Sequence, residues 1–412
     1  MPSAWPLICF KIEISGYNPH YAFCNQGAFM DTTYVSTLLV VFLVLASLAV
    51  SIGYLYVDED DLRSMAEVSS RTGTNAIKKR MLEQISTDPG RLGSVVNDTI
   101  QTAARSAATD HATGKYKESA LMHVLNDNSN RLTTSNDVTV GFWNISTKTY
   151  TPGETPVNAV QVRTRRTAES DTVGIGKIGK FLGILSGVQK FDYTPDAVAA
   201  LPARADASFA LCTEACDSRC SFPDVCPVPE RKMVSNPWSD EITAPTENRL
   251  ASSYRMYQLN TAVNLSDLIC AGTTSQDICR KEILTSLDPQ DNALRDMESM
   301  MYNPNVDISN KEYDKGSGKL LGWWAIAPVS DCPKARQETA FAKQTVSRYA
   351  LVRISRICAP GGSGCQQSNT SFEAPASTCG NDRGLYIDRI SCVSCSSKAL
   401  LTFPGLHPVL VQ

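Results

Sequence analysis

The chain has 412 residues, of which 42% are hydrophobic, and a formal net charge of −3. This length accommodates two or three globular domains. The near-neutral charge, with basic residues scattered along the chain, excludes the basic surface by which proteins bind nucleic acid.

The first strong local feature is a run of twenty-two residues without a charge, Val35 to Tyr56. A helix that rises about 1.5 Å per residue crosses the roughly 30 Å hydrocarbon layer over this length. A signal peptide has a shorter apolar region behind a basic segment, and only Lys11 precedes this run. We therefore predict a retained transmembrane helix at 35–57, after a leader or cytoplasmic tail at 1–34. A buried core helix is the alternative.

A helical stalk is predicted at 58–132. Apolar residues keep helical spacing from Asp61 to Ile85, which continues the first helix, and Asp88-Pro89-Gly90 ends it. A second helix is predicted from about Leu92 to Ala112 and a short third near Ser119 to Leu125.

The periodicity then changes to two. The runs Asp137–Trp143 and Ala159–Arg166 alternate apolar and polar residues, and the intervening Pro152-Gly153 turn predicts that they are neighbouring antiparallel strands. A short apolar helix around Phe181 and a third strand within 196–212 complete a small α+β unit at 133–212.

A glycine-rich stretch in this unit, VGIGKIGKFLG at 173–183, nearly matches a phosphate-binding loop. Such a loop follows a strand directly and has Ser or Thr after its lysine. Here AESDT precedes the glycines and Phe181 follows Lys180. We interpret the stretch as the short apolar helix and predict no nucleotide or other cofactor.

The remainder, 213–412, is predicted to be a Cys-rich extracytoplasmic region of mixed α/β structure. An even number of cysteines at loop-like spacing indicates disulfides formed in an oxidising compartment, so most of the chain is expected outside the cytoplasm. Twelve of the fourteen cysteines follow the apolar run and are the disulfide candidates: Cys212, Cys216, Cys220, Cys226, Cys270, Cys279, Cys332, Cys358, Cys365, Cys379, Cys392 and Cys395.

Two groups of these cysteines have alternative chemistry. Four thiolates in CTEACDSRCSFPDVC suit a zinc or iron–sulfur site, but the paired C-x-x-C knuckles are missing. Cys392-Val-Ser-Cys395 suits thiol–disulfide exchange if it begins a helix after a strand, whereas here it ends a strand-like run. We interpret both as structural disulfides and no metal site, and expect Cys358 and Cys365 to staple the loop between them.

Strands are predicted in this region at Gly322–Val329, Arg348–Cys358 and Gly384–Cys392, and helices at 275–287 and 291–301. The chain has four histidines, none beside a candidate nucleophile, and lacks H-E-x-x-H and G-x-S-x-G. We therefore predict no catalytic residues and no enzymatic activity.

Several of these motifs occur in an order typical of one family. GYLY at 53–56, VGFW, the TPG turn at 151–153, NAVQVRTRRT at 158–167, the G-K-F-L-G helix and an Ala-rich strand follow one another. From Val35 to Cys212 the chain resembles the TadG-like proteins of bacterial tight-adherence (Tad, or Flp) pilus assembly. The Cys-rich half lies outside the shared pattern.

The resemblance implies a single-pass protein of the bacterial inner membrane, with the bulk of the chain periplasmic or extracellular, that acts structurally in pilus assembly or anchoring. It implies other pilus-assembly or envelope proteins as partners, in homo- or hetero-oligomers. Two alternatives stay open: an envelope-anchored disulfide-rich binding or adhesion module not tied to pili, and a redox or metal enzyme with free thiols or bound metal.

Overall fold

A computed structural model describes residues 28–87, 98–115, 124–165, 178–179, 190–191, 193–216, 220–234, 252–259, 264–271, 276–286, 291–306, 308–331, 341–359, 364–365, 379–380 and 382–411. The fold is mixed α+β, as predicted, with two large sheets and several disulfides. Most of the leader predicted at 1–34 lies outside these residues.

Helix α1 (Ala28–Thr87) continues from the predicted span into the predicted stalk without a break. Its beginning exposes large apolar side chains, whereas Leu62, Met65, Ile77 and Ile85 are buried. Within the described residues, none of the helices is both long and apolar enough to cross a membrane. The transmembrane helix predicted at 35–57 is therefore not confirmed.

Helix α2 (Asp98–Lys115), predicted at about 92–112, packs against α1. The two helices approach closely at Gly73, where an added Cβ would lie 2.9 Å from the carbonyl oxygen of Ala104 and 3.1 Å from the Cβ of Ala108. The predicted helix near 119–125 lies mostly outside the described residues, and 124–125 are not helical.

The first sheet has five antiparallel strands in the order β15-β6-β3-β1-β2. The pairing predicted for its first two long runs is confirmed, because Val140 of β1 lies opposite Val160 of β3. Helices α1 and α2 pack on this sheet, where Val138, Val162 and Ala104 belong to one buried cluster. The strands are β1 (Val138–Asn144), β2 (Thr149–Pro152), β3 (Ala159–Arg163), β6 (Asp196–Ala200) and β15 (Val409–Leu410).

A separate pair of short strands, β4 (Ile178–Gly179) and β5 (Lys190–Phe191), lies between β3 and β6 in the sequence. Ile178 and Gly179 were expected in the short apolar helix, so that prediction is wrong for these two residues. Backbone pairing with β5 outweighs their helical spacing. Phe181 and most of the glycine-rich stretch lie outside the described residues.

The second sheet has eight strands in the order β10-β13-β14-β8-β9-β7-β12-β11, with further pairings of β10 to β9 and of β13 to β12. Six of them close into a ring, because β12 pairs with β13 as well as with β7. Its members are β7 (Phe209–Cys212), β8 (Cys226–Val234), β9 (Ser252–Gln258), β12 (Leu320–Ser330), β13 (Phe341–Cys358) and β14 (Gly384–Ser394). Strands β10 (Glu282–Ser286) and β11 (Lys311–Tyr313) flank the ring.

Strand β12 shows how the ring is packed on both faces. Successive side chains of a strand point to opposite faces. Trp324 and Ile326 belong to the buried cluster that contains α1 residues, while Ala325 and Ala327 belong to a second cluster with Met297 of helix α4. Side chains therefore pack on both faces of the ring, one set in the cluster that includes residues of α1 and the other in the cluster that includes residues of α4 (Asp291–Tyr302).

The strands predicted at 322–329, 348–358 and 384–392 and the helix predicted at 291–301 are confirmed as β12, β13, β14 and α4. The helix predicted at 275–287 is wrong, because Glu282–Ser286 form β10. Strands β13 and β9 both pair with β10, and Ile283 is fully buried. Tertiary pairing overrides local helical spacing at this position. The other helix here is α3 (Leu265–Cys270).

Candidate interaction surfaces

The predicted disulfides are present in the described part of the Cys-rich region. Cys212 is also disulfide-bonded, and Cys332 lies outside the described residues. The bonds join Cys216 to Cys392, Cys220 to Cys226, Cys270 to Cys365, Cys279 to Cys395 and Cys358 to Cys379.

These pairings settle two interpretations made from the sequence. The cysteines of the C-x-x-C motif bond to separate distant partners, Cys392 to Cys216 and Cys395 to Cys279, which is the arrangement of structural half-cystines. The predicted Cys358–Cys365 staple is wrong, because α3 brings Cys270 to Cys365 and β13 brings Cys358 to Cys379.

One group of side chains has the spacing of a metal site but not its chemistry. Ligand atoms of Cys270, Asp296 and Cys365 lie within 4.8 Å of one another, and burial raises the pKa of Asp296. The two sulfur atoms are bonded to each other at 2.00 Å, so neither is the thiolate that a soft metal requires.

The end of α1 is fixed to the ring by polar contacts. The buried Lys78 Nζ donates to Ser309 Oγ and Asn310 Oδ1, both at 2.8 Å. Arg389 donates to the carbonyl oxygens of Ile85 and Ser86 at 2.9 and 3.2 Å, where a helix C-terminus favours a cation. These contacts hold α1 and the ring in one fixed arrangement.

A buried ion cluster organises the loop before β1. The carboxylate of Asp137, which has no exposed surface, accepts from Arg165 Nε at 2.8 and 2.9 Å and from Arg163 Nε at 2.8 Å. Arg165 also donates to the carbonyl oxygens of Thr133 and Thr134. The cluster fixes structure and leaves little of its charge accessible to a ligand.

The first exposed surface is the apolar segment, residues 34–50 of α1. Such a continuous apolar surface is typical of a site that contacts protein or lipid. The exposed fractions of its side chains include 70% for Tyr34, 57% for Leu39, 69% for Phe42, 57% for Leu43, 58% for Leu45 and 66% for Val50.

The second surface is a cleft of about 630 Å³ between the last turns of α1 and strand β11, here called the β11 cleft. Its lining mixes apolar and charged side chains from three parts of the chain. The lining residues are Lys79, Leu82, Glu83, Ser86, Ile308, Ser309, Lys311, Glu312, Tyr313, Asp314, Lys315, Leu321 and Trp324.

Residues 88–199 match a family model described as "Putative Tad-like Flp pilus-assembly". The chain carries a Tad-related domain. This Tad-like domain comprises α2 and strands β1 to β6, and it contains the Asp137 cluster. The resemblance inferred from the sequence is confirmed at this level, whereas α1 and the ring lie outside the match. Neither the curated proteins nor the solved structures gave a match to the chain.

Sequence reasoning did not find the β11 cleft. Its lining comes from 79–86, 308–315 and 321–324, and none of these segments has a motif. The Asp137 cluster had a signal, since Arg163 and Arg165 are two residues apart on a predicted strand and therefore share a face, opposite a run that begins with Asp137.

Proposed function

We propose that this protein is a membrane-anchored structural component of Tad (Flp) pilus assembly, with its bulk on the periplasmic side of a bacterial inner membrane. The Tad-like domain links it to Flp pilus assembly. One observation carries the rest: a single helix exposes large apolar side chains at 34–50 and, further along, buries Met65, Ile77 and Ile85 in a cluster shared with the Tad-like domain and the ring.

The apolar segment is the proposed anchor. Most of it belongs to the longer run from Val35 to Tyr56, whose twenty-two residues have no charge and match the length of a bilayer-spanning helix. Leu39 and Leu43 are each 57% exposed, so the folded domains leave them available to lipid or to the helices of other pilus proteins.

The disulfides support the proposed side of the membrane. Five bonds tie ring strands, helices and loops together, and such bonds persist in oxidising compartments such as the periplasm. The proposed role is structural rather than catalytic: the ring and the Tad-like domain form a rigid body carried by α1.

The test replaces both leucines in the apolar segment. We expect Leu39→Arg/Leu43→Arg to move the protein from the membrane fraction to the soluble fraction, because an arginine within a span costs up to about 2.5 to 3.5 kcal/mol, the full value applying at its centre. The number of pili on the cell surface should decrease as the protein is lost from the membrane. The matched control is Asp60→Arg/Ser64→Arg, at exposed positions four residues apart on the same helix.

Orientation is tested separately. In spheroplasts, added protease is expected to digest the region after residue 87 once the disulfides are reduced. Full protection of that region, or membrane retention and normal piliation of the double-arginine variant, would contradict the proposal.

A second candidate is an envelope-anchored binding or adhesion module not tied to pili. The observation that favours it is that the ring and the β11 cleft lie outside the Tad-related segment. Deleting the gene separates the two functions: normal pili with lost attachment would support the second candidate, and lost pili the first.

A further inference from the structure

The β11 cleft contains a free sheet edge. Strand β11 is the last strand in the order of the second sheet and pairs with β12 alone among the described strands. An edge strand presents backbone N–H and C=O groups that a further strand can pair with. Added-strand pairing is one of the common ways in which proteins bind extended peptides.

The cleft beside this edge has room for a peptide. Its volume of about 630 Å³ lies within the range of ligand sites, about 300 to 1,000 Å³. Ile308, Tyr313 and Leu321 line it with exposed fractions of 57%, 36% and 38%. These side chains offer apolar contacts to every second residue of an added strand.

Trp324 supplies a donor without an acceptor. Its side chain lines the cleft and is 1% exposed, and its indole N–H has no hydrogen-bond partner among the described residues. A buried donor left unpaired costs about 1 to 3 kcal/mol. Because the indole nitrogen itself is buried, an oxygen atom of a bound peptide would satisfy it only if the side chains that cover it move aside on binding.

The charged side chains that line the cleft indicate which charge a ligand should carry. Of the anionic side chains of the cleft, Glu83 pairs with Arg80 at 3.0 Å and Glu312 with Arg353 at 2.9 Å, whereas Asp314 accepts from the neutral Ser317 hydroxyl at 2.7 Å and keeps its charge. The exposed lysines Lys79 and Lys315 have no ionic or hydrogen-bonded partner within the described part of the chain. Two lysines against the single carboxylate of Asp314 leave a net positive charge in the cleft.

We propose that the β11 cleft binds an extended acidic segment of a partner protein, which adds as a strand to β11. Its acidic side chains pair with Lys79 and Lys315, its apolar side chains contact Ile308 and Leu321, and one of its oxygen atoms accepts from Trp324 Nε1. The inference goes beyond the proposed function and does not depend on membrane anchoring or on pili.

The test uses the purified full chain in detergent micelles and two blocked, fluorescent hexapeptides. One alternates acidic residues with valine, and the other alternates lysine with valine. We expect only the acidic peptide to bind, more weakly as salt increases, and to protect the backbone amides of Lys311–Tyr313 from hydrogen exchange.

Two variants locate the binding. Lys79→Glu/Lys315→Glu is expected to lower the affinity for the acidic peptide by about tenfold, because two exposed ion pairs are lost. The control is Lys281→Glu/Lys398→Glu, at exposed positions outside the cleft, which should leave the affinity unchanged. Trp324→Phe, which removes the donor and keeps an aromatic ring, is expected to weaken binding with the ring still folded by near-ultraviolet circular dichroism.

Three results of the peptide experiments would overturn the proposal. They are equal binding of both peptides, binding that the cleft variants do not change, and amide protection outside β11. A concentration-dependent dimer that Lys79→Glu/Lys315→Glu dissociates would also overturn it, since the occupant would then be a second copy of this chain.

Discussion

Asp137 is the residue on which the loop before β1 depends. Its carboxylate accepts hydrogen bonds from Arg163 at the end of β3, from Arg165 just after it, and from the backbone amide of Leu125 in the loop. Asp137→Asn leaves Arg165, whose side chain is 4% exposed, without its counter-charge. We expect a loss of about 3 to 5 kcal/mol in unfolding free energy, measured by denaturant unfolding. The exposed Asp196→Asn is the control, within about 0.5 kcal/mol. A loss below about 1 kcal/mol for Asp137→Asn would contradict the role.

Asp382 contributes to the stability of the ring to an extent that depends on pH. Hydrogen bonds from the Tyr386 hydroxyl and from Lys232 Nζ lower its pKa from 3.8 to about 2. A carboxyl whose folded pKa is depressed stabilises the fold above its unfolded pKa, and this contribution is lost as the pH falls from about 3.8 to about 2.

The corresponding measurement is thermal unfolding of wild type and Asp382→Asn between pH 2 and pH 7. Wild type should be more stable above about pH 4 by less than about 1 kcal/mol, because the Asp382 side chain is 38% exposed. The difference should decrease as the pH falls below about 4 and be smallest at pH 2. A difference that is constant over this range would show that the carboxylate charge is not its cause.

At the scale of elements, the close contact of α1 with α2 depends on Gly73, which has no side chain. Alanine normally stabilises a helix relative to glycine by about 1 kcal/mol. At Gly73 we expect the opposite sign, because the added Cβ would meet the Ala104 carbonyl at 2.9 Å and Val160 Cγ1 at 3.1 Å. Gly53 is the matched position on the same helix, with no atom within 4 Å of an added Cβ.

The two alanine variants are compared by thermal unfolding of the full chain. Gly73→Ala should lower the melting temperature, and Gly53→Ala should leave it unchanged or raise it. Stabilisation by Gly73→Ala would mean that the two helices separate at this point without cost.

Elements with a strong local pattern were predictable from the sequence. Strands β1 and β3 alternate and have a turn between them, and α4 keeps one apolar face, so the pattern alone located them. Strand β10 was not predictable, because partners distant in the sequence, β9 and β13, determine its conformation. The β11 cleft was not predictable for the same reason, because Lys79 and Lys315 line one cleft only in the folded chain.

At the scale of the whole molecule, the disulfides differ in the length of chain that they close. Cys279–Cys395 spans 116 residues and Cys220–Cys226 spans 6. As single cross-links in the unfolded chain, they would stabilise by about 4.8 and about 2.2 kcal/mol. The other disulfides shorten the longer loop, so we expect the double serine variant of the first pair to lose more than that of the second, by at most about 2.5 kcal/mol, measured by denaturant unfolding. Equal losses would show that the constraint on the unfolded chain is not what stabilises the ring.

The pairing of β15 with β6 has a consequence for biosynthesis. Val409 lies opposite Ala200 at the margin of the Tad-related sheet, so the ribosome makes β6 long before the strand that covers it. A nascent chain that stops after β6 and before β15 would expose the unpaired edge of β6. An unpaired strand edge promotes aggregation with other incompletely folded chains. Premature termination late in the message should therefore damage the early-made half of the protein as well.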